Sequence, residues 1–294
     1  MKLFTKNIIQ IFVITFLFFF LGYCLIYSGK FPVMLSDAME KRNLSIHDED
    51  NNIVLIGGSS LLEQVNAELI KSQLNIDIVN LALDASAGSI SYKMLLKNYI
   101  ENNSKPETVI LYLSPQHPKY EVLKSYSKIT FLIRNGKITD FIKNKIGFND
   151  IINTIINYYK RLITDIIINN RGSLHINSYY NEMKTYGGFS NYFNKEPFDN
   201  DCDFDSRLNK VYSLEYIKEF KNIFIKSVDN VYIYIAPMPD CDKGYNFYNE
   251  LYQNISDNKI VTLSSNLFYD PTHMIKSGAI NATRLLINFI ETKK

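Results

Sequence analysis

Two short stretches of the chain carry residue types that can do acyl chemistry together. The first is Ile53-Val54-Leu55-Ile56-Gly57-Gly58-Ser59-Ser60, a wholly apolar run that ends in two glycines and a serine. A serine at the junction of a strand end and a helix start exposes its hydroxyl, and the backbone N–H groups of a helix N-terminus favour developing negative charge. The second is Asp270-Pro271-Thr272-His273, just ahead of the last helical pattern. A carboxylate three residues before an imidazole can hold one ring nitrogen while the other faces a substrate. That is the tautomer-fixing arrangement that a serine nucleophile needs. Either stretch alone also reads as an ordinary helix cap. Their order and topological positions decide between the two readings.

The elements between them alternate. Ile53–Ile56 predicts a strand buried on both faces, followed by a helical pattern with Leu61, Leu62, Val65, Leu69 and Ile70 on one side. Residues Ile76–Leu81 predict a second strand and Ser89–Asn102 a second helix. Val109–Leu113 and Val231–Ile235 predict two more strands, Lys259–Leu263 a weaker fifth, and Ser277–Ile290 a terminal amphipathic helix. Strands separated by helices imply an α/β fold with a doubly wound parallel sheet. Ligands of such sheets bind outside the carboxyl ends of the strands, which is where Ser59 falls. A long insertion, about residues 118–212, separates the third and fourth strands. Its middle, Ile151 to Asn169, has helical spacing at Ile152, Ile155, Ile156, Tyr159 and Leu162. The aromatic stretch after it, from Tyr179 to Phe198, reads either as a cover over the core or as a stacking surface for a glycan.

On these residues the chain resembles the SGNH/GDSL hydrolase superfamily, over about residues 53–290. The family's nucleophile serine follows the first strand, and its Asp-x-x-His precedes the last helix. The resemblance implies Ser59 as nucleophile, Asp270 as orienting acid and His273 as base, on a three-layer flavodoxin-like fold. Asn80–Gly88 (NLALDASAG) sits where the family's second block lies, and Leu113-Ser114-Pro115-Gln116-His117 where its third lies. Oxyanion donors are expected from the Ser59 amide and from Ala85, Gly88 or Gln116. Gly58 stands where the family usually has Asp, and the third-block Gly-x-Asn-Asp is absent. Ser-Pro-Gln-His is instead similar to membrane-anchored members acting on cell-envelope polymers, such as those of teichoic-acid D-alanylation and alginate acetylation. What this implies is a serine O-acyltransferase modifying a cell-surface polysaccharide, with a membrane-bound O-acyltransferase as partner. A carbohydrate O-acyl esterase is the alternative, and a non-catalytic glycan-binding or assembly protein the second alternative. No cofactor is implied.

The compartment is read from the first segment. Ile8–Tyr27 is an uncharged run of about 20 residues, enough at about 1.5 Å per residue to span the ~30 Å hydrocarbon core of a bilayer. A cleavable signal would have a shorter apolar region ending in small residues, and Tyr23, Cys24, Leu25 and Ile26 are poor material for that. Leu21-Gly22-Tyr23-Cys24 only faintly matches a lipoprotein box. Lys2 and Lys6 precede the run, and positive charge stays cytoplasmic. The expected layout is a cytoplasmic tail (1–7), a transmembrane helix (8–27), a stalk (28–50) and an extracytoplasmic domain (51–294). In that oxidising space Cys202 and Cys241 are candidates for a disulfide.

Charge closes off another class of partner. The 294 residues carry a net charge of +2, and the first 30 hold three lysines and no acid, so the globular part is near neutral. Nucleic acid, which calls for a basic face, is not an expected partner. The four histidines, at 47, 117, 175 and 273, have no metal-ligand spacing, so no metal site is expected.

Overall fold

The computed structural model describes residues 2–31, 33–117, 124–164 and 214–294, with 181, 183, 188, 196 and 197. The chain forms two compact units. Met1–Ala38 associates with Lys124–Ser178, and Met39–Leu123 with Tyr179–Lys294.

In chain order the elements are α1 (Lys2–Ser28), α2 (Leu35–Leu44), β1 (Ile53–Gly57), α3 (Ser59–Gln64), α4 (Ala67–Leu74), β2 (Ile78–Ala82), α5 (Gly88–Asn102) and β3 (Thr108–Leu113). They continue with α6 (Tyr126–Asn135), α7 (Ile138–Lys143), α8 (Phe148–Ile163), α9 (Glu215–Phe224), β4 (Asn230–Ile235), β5 (Met238–Pro239) and α10 (Tyr245–Tyr252). The last are β6 (Thr262–Leu263), β7 (Phe268–Asp270), β8 (His273–Met274) and α11 (Lys276–Thr292).

The second unit is built on a four-stranded, all-parallel sheet in the order β2-β1-β3-β4. The expected α/β architecture is therefore present. The apolar runs dictate it: every residue of β1 and β2 is buried, so both sheet faces need helical cover. Gly57 pairs with Tyr112 of β3, and a Cβ there would overlap the Tyr112 carbonyl oxygen, so only glycine lets the two strands close at this end. Asn80, fully buried in β2, donates from Nδ2 to the carbonyls of Leu61 and Val65 at 3.1 Å. It thereby closes the end of α3, the helix that Ser59 begins.

Three expectations need correcting. The helical pattern after Ser59 is two helices, because Asn66 caps a new one by accepting from the Leu69 N–H at 3.1 Å. The expected fifth strand does not join the sheet: β6 is two residues long and pairs with β5. The reason is chemical. Asp257 and Asn258 occupy the β4 edge, accepting from the amides of Ile233 and Ile235 at 2.7 and 2.8 Å. Asn258 Nδ2 and the Asp257 N–H donate to the carbonyls of the same two residues, so no strand is needed to satisfy them. Finally, residues 28–50 are no stalk. Arg42 and Asn43 of α2 are buried and donate to the carbonyls of Asn80 and Ala82 at 2.5 and 2.7 Å.

The first unit explains part of the insertion. Among the described residues one helix, α1, is long and apolar enough to cross a membrane, over Asn7–Ser28, and most of that stretch is exposed. Helices α6 and α8 pack against its carboxyl-terminal half, where a methyl on Gly22 would overlap Ile155 of α8. Arg134 of α6 donates from Nε to the Ile26 carbonyl at 2.8 Å and pairs with buried Asp37 at 2.8 Å. Residues 124–164 thus belong with the apolar helix, whereas the expected layout placed them in one domain running from 51 to 294. The aromatic stretch from Tyr179 to Phe198 falls almost wholly outside the described residues.

Candidate active site

The last turn of the fold before α11 is where the two chemical stretches meet. Phe268–Asp270 and His273–Met274 pair as a short antiparallel hairpin, with Asp270 opposite His273 and Pro271-Thr272 as its turn. Phe268, Met274 and Ala282 of α11 are fully buried against one another and hold the hairpin down. Gln64, the last residue of α3 and fully buried, clamps it from the other side. Its Nε2 donates to the Thr272 carbonyl at 2.7 Å, and its Oε1 accepts the Tyr112 hydroxyl at 2.6 Å. Thr283 of α11 adds a third tie, donating to the Gln64 carbonyl at 3.1 Å and accepting the Asn66 N–H.

The result brings together two groups 214 positions apart. Ser59 Oγ lies 2.9 Å from His273 Nε2. His273 Nδ1 lies 2.8 Å from Asp270 Oδ2 and 3.0 Å from Oδ1. Asp270 Oδ1 also accepts the backbone N–H groups of Thr272 and His273 at 2.8 and 2.9 Å. Burial works to raise the Asp270 carboxyl, but the His273 hydrogen bond, the His273 charge and the Thr272 donors outweigh it and leave it below its ordinary value. A carboxylate so held keeps the Nδ1 proton on the imidazole, so Nε2 is left to accept the Ser59 proton. The serine is partly exposed.

Two residues that the sequence reading passed over support the imidazole. The Tyr269 ring stacks on His273 with centroids 5.7 Å apart and planes 11° apart. Its hydroxyl donates in a short hydrogen bond to Glu63, a buried side chain on α3 four residues after Ser59. Burial, followed by the Glu63 charge, pushes the Tyr269 phenol far up, so it stays a donor. The ring is therefore tethered to the helix that presents the nucleophile. Tyr269→Phe keeps the stack and removes the tether. It should cost about 1.5–3 kcal/mol in urea unfolding, as expected for a hydrogen bond to a charged group. It should lower kcat on an activated ester more than it changes KM. An unchanged unfolding midpoint would show that the tether does not matter.

The oxyanion expectations divide. Ala85 is at the site: a Cβ on Gly58 would stand 2.9 Å from its Cβ. That contact also explains glycine at position 58, since any side chain there meets the Ala85 turn. Gly58→Ala should displace the turn, destabilise the fold by about 1–3 kcal/mol as overpacking does, and reduce ester turnover. Gly88 is corrected. Its N–H already donates to the Ala85 carbonyl, and its φ of +74° marks it as a turn former that begins α5. Gln116 sits in the turn after β3 that the His117 N–H closes onto the Ser114 carbonyl at 2.9 Å, at the same sheet end as Ser59. His117 is buried between Tyr92 and Tyr216, at 5.5 and 5.7 Å between ring centroids, and is a packing residue.

Cys241 is disulfide-bonded and Cys24 is free, while Cys202 lies outside the described residues. Among the described residues, no three His, Cys, Asp or Glu side chains are grouped as metal ligands would be. A cavity bounded by Asn52, Asn75, Glu107, Tyr232 and Lys293 lies at the amino ends of the strands, the other end of the sheet from Ser59. Comparison with protein-family models, with curated proteins and with solved structures finds no match to this chain.

Proposed function

We propose that the chain is a membrane-anchored, extracytoplasmic serine O-acyltransferase of the SGNH type that modifies a cell-surface polysaccharide. The observation that carries the reading is the relay itself: Ser59 Oγ at 2.9 Å from His273 Nε2, and His273 Nδ1 at 2.8 Å from Asp270. The proposed anchor is α1, with the N-terminus cytoplasmic and both units outside.

In the first half-reaction His273 Nε2 takes the Ser59 proton as Oγ attacks the acyl carbonyl carbon. The tetrahedral oxyanion collapses, the donor's ester bond breaks, and the leaving oxygen takes the proton from His273. The acyl group is then an ester of Ser59. In the second half, His273 deprotonates a sugar hydroxyl, which attacks that ester, and the proton returns to Ser59 Oγ. Asp270 stays ionised throughout and steadies the imidazolium in both halves. The Ser59 amide at the start of α3 and the Ala85 amide are the proposed backbone donors for the oxyanion. Since acyl-CoA is a cytoplasmic donor, a membrane-bound O-acyltransferase partner would deliver the acyl group.

A second reading has its own support. The His273 side chain is 21% exposed, so water can reach the acyl-enzyme and the same residues would then make a carbohydrate O-acyl esterase. The full chain, supplied with an activated acetyl ester and a cell-envelope glycan, separates the two by mass spectrometry. Acetylated sugar that grows with glycan concentration supports transfer. Free acetate alone, at saturating glycan, assigns hydrolysis. No acyl-Ser59 and no turnover of any ester leave a glycan-binding or assembly role.

A further inference from the structure

One short helix touches both partners of the proton transfer. Ser59 opens α3 and Gln64 closes it, about 7.5 Å further along the axis at 1.5 Å per residue. Three side chains of this helix hydrogen-bond to the β7–β8 hairpin and its turn. Ser59 meets His273, Glu63 accepts the Tyr269 hydroxyl, and Gln64 Nε2 donates to the Thr272 carbonyl at 2.7 Å.

The Gln64 bond acts on the peptide group that leads into His273. The carbonyl of that group is held by Gln64, and its N–H, which belongs to His273, by Asp270 Oδ1 at 2.9 Å. A rigid peptide plane held at both ends fixes the Cα from which the imidazole projects. The orientation of the amide is determined as well. A carbonyl can only accept, so Nε2 must be the atom at Thr272, and Oε1 is left for the Tyr112 hydroxyl at 2.6 Å. Gln64 and Tyr112 are fully buried, so Gln64 touches no substrate, and burial pushes the Tyr112 phenol well up and keeps it a donor.

We propose that Gln64 is a positioning residue for the acyl transfer: oriented by Tyr112, it ties the base to the end of the helix whose start carries the nucleophile, and so sets the distance between Ser59 and His273. This rests on reading those two residues as the catalytic pair, and the test separates the two.

Gln64→Met in the full chain keeps the bulk of the side chain and loses both hydrogen bonds. On an activated ester kcat should fall about 10²-fold, as a misplacement of about 1 Å does, with KM within about threefold. Tyr112→Phe removes only the bond that orients the amide and should cost about fivefold. Gln64→Glu supplies a readout that packing alone would not move. A protonated glutamic acid does what the amide does, accepting from Tyr112 on one oxygen and donating to Thr272 from the other. Ionised, it sets an acceptor against the Thr272 carbonyl. The groups facing it are the Tyr112 hydroxyl on β3, with Tyr234 of β4 stacked behind at 5.3 Å, Thr283 on α11, Glu63 on its own helix, and Asp270 and His273 on the hairpin. Burial and the two neighbouring carboxylates both favour the protonated acid. Gln64→Glu should therefore stay within about tenfold of wild type near pH 7. Above about pH 8–9 it should lose kcat/KM tenfold per pH unit, a limb that the wild type lacks.

A folded Gln64→Met with wild-type kcat, or a Gln64→Glu profile that superimposes on wild type, would overturn the proposal. Equal loss in all three variants at every pH would reduce Gln64 to a packing residue. If Gln64→Met does not fold, the two protonation states of Gln64→Glu still decide within one folded protein. Failure of the serine reading looks different: the wild type itself would take no fluorophosphonate label and turn over no ester, and the role of Gln64 would fall with it.

Discussion

Ser59→Ala leaves a folded protein that no longer takes a fluorophosphonate label and turns over an activated ester at least about 10³-fold more slowly. The prediction follows from a single contact, since the only proposed route to a nucleophile is transfer of the Ser59 proton to His273 across 2.9 Å. Ser59 is the first residue of α3 and is partly exposed, and the core ties of that helix run through Gln64 and Asn80. Removing one hydroxyl therefore leaves those ties intact, and urea unfolding should shift by less than about 1 kcal/mol. His273→Ala should lose the label almost as completely, because an unassisted serine is a weak nucleophile. The two losses should not multiply in the double variant, since both residues serve one step. Full labelling of Ser59→Ala would place the reactive group elsewhere and end the serine reading.

How the sequence showed this much of the site, and no more, has a physical basis. Strands buried on both faces must be apolar throughout, so Ile53–Ile56, Val109–Leu113 and Val231–Ile235 were legible as strands, and the structure extends each by one residue. The meeting of Ser59 with His273 was legible because both stand at chain positions that a parallel sheet brings to one end. Edge satisfaction was not legible: Asp257 and Asn258 read as loop residues, yet their side chains do the work of a fifth strand on β4. Nor was the support of the imidazole. Among 21 tyrosines nothing marks Tyr269, and nothing in the helical stretch after Ser59 marks Glu63 as its hydrogen-bond acceptor. The association of residues 124–164 with α1 was hidden for a different reason. Close helix approach at Gly22 depends on which helix arrives there, and a single glycine in an apolar run does not name its neighbour. The Gly88 amide shows the reverse error, where a plausible residue type in a plausible block turned out to be engaged in its own turn.

Asp270→Asn is expected to be nearly as damaging to catalysis as loss of the serine, and the hydrogen bonds show why. Oδ1 accepts two backbone N–H groups, from Thr272 and His273, whereas Oδ2 faces His273 Nδ1 at 2.8 Å. An asparagine in this place must keep its oxygen at the Oδ1 position, because an amide NH₂ there would confront two donors. Its NH₂ group then replaces Oδ2 and donates to Nδ1. The imidazole proton is driven to Nε2, the nitrogen that has to accept from Ser59, and kcat should fall by about 10³–10⁴-fold with the shape of the site unchanged. A stability signature accompanies the loss. Since the folded Asp270 carboxyl lies below its ordinary value of about 3.8, ionisation favours the folded state above that value, and the advantage disappears as pH falls through the lowered one. The wild-type protein should therefore exceed Asp270→Asn in urea resistance at pH 7, and the gap should close on acidification below about pH 3.8. A variant within tenfold of wild-type kcat would mean that Asp270 merely caps the hairpin turn. A stability gap that widened in acid would mean that the carboxyl is held neutral, the opposite of what its four donors, two from the backbone and two from side chains, require.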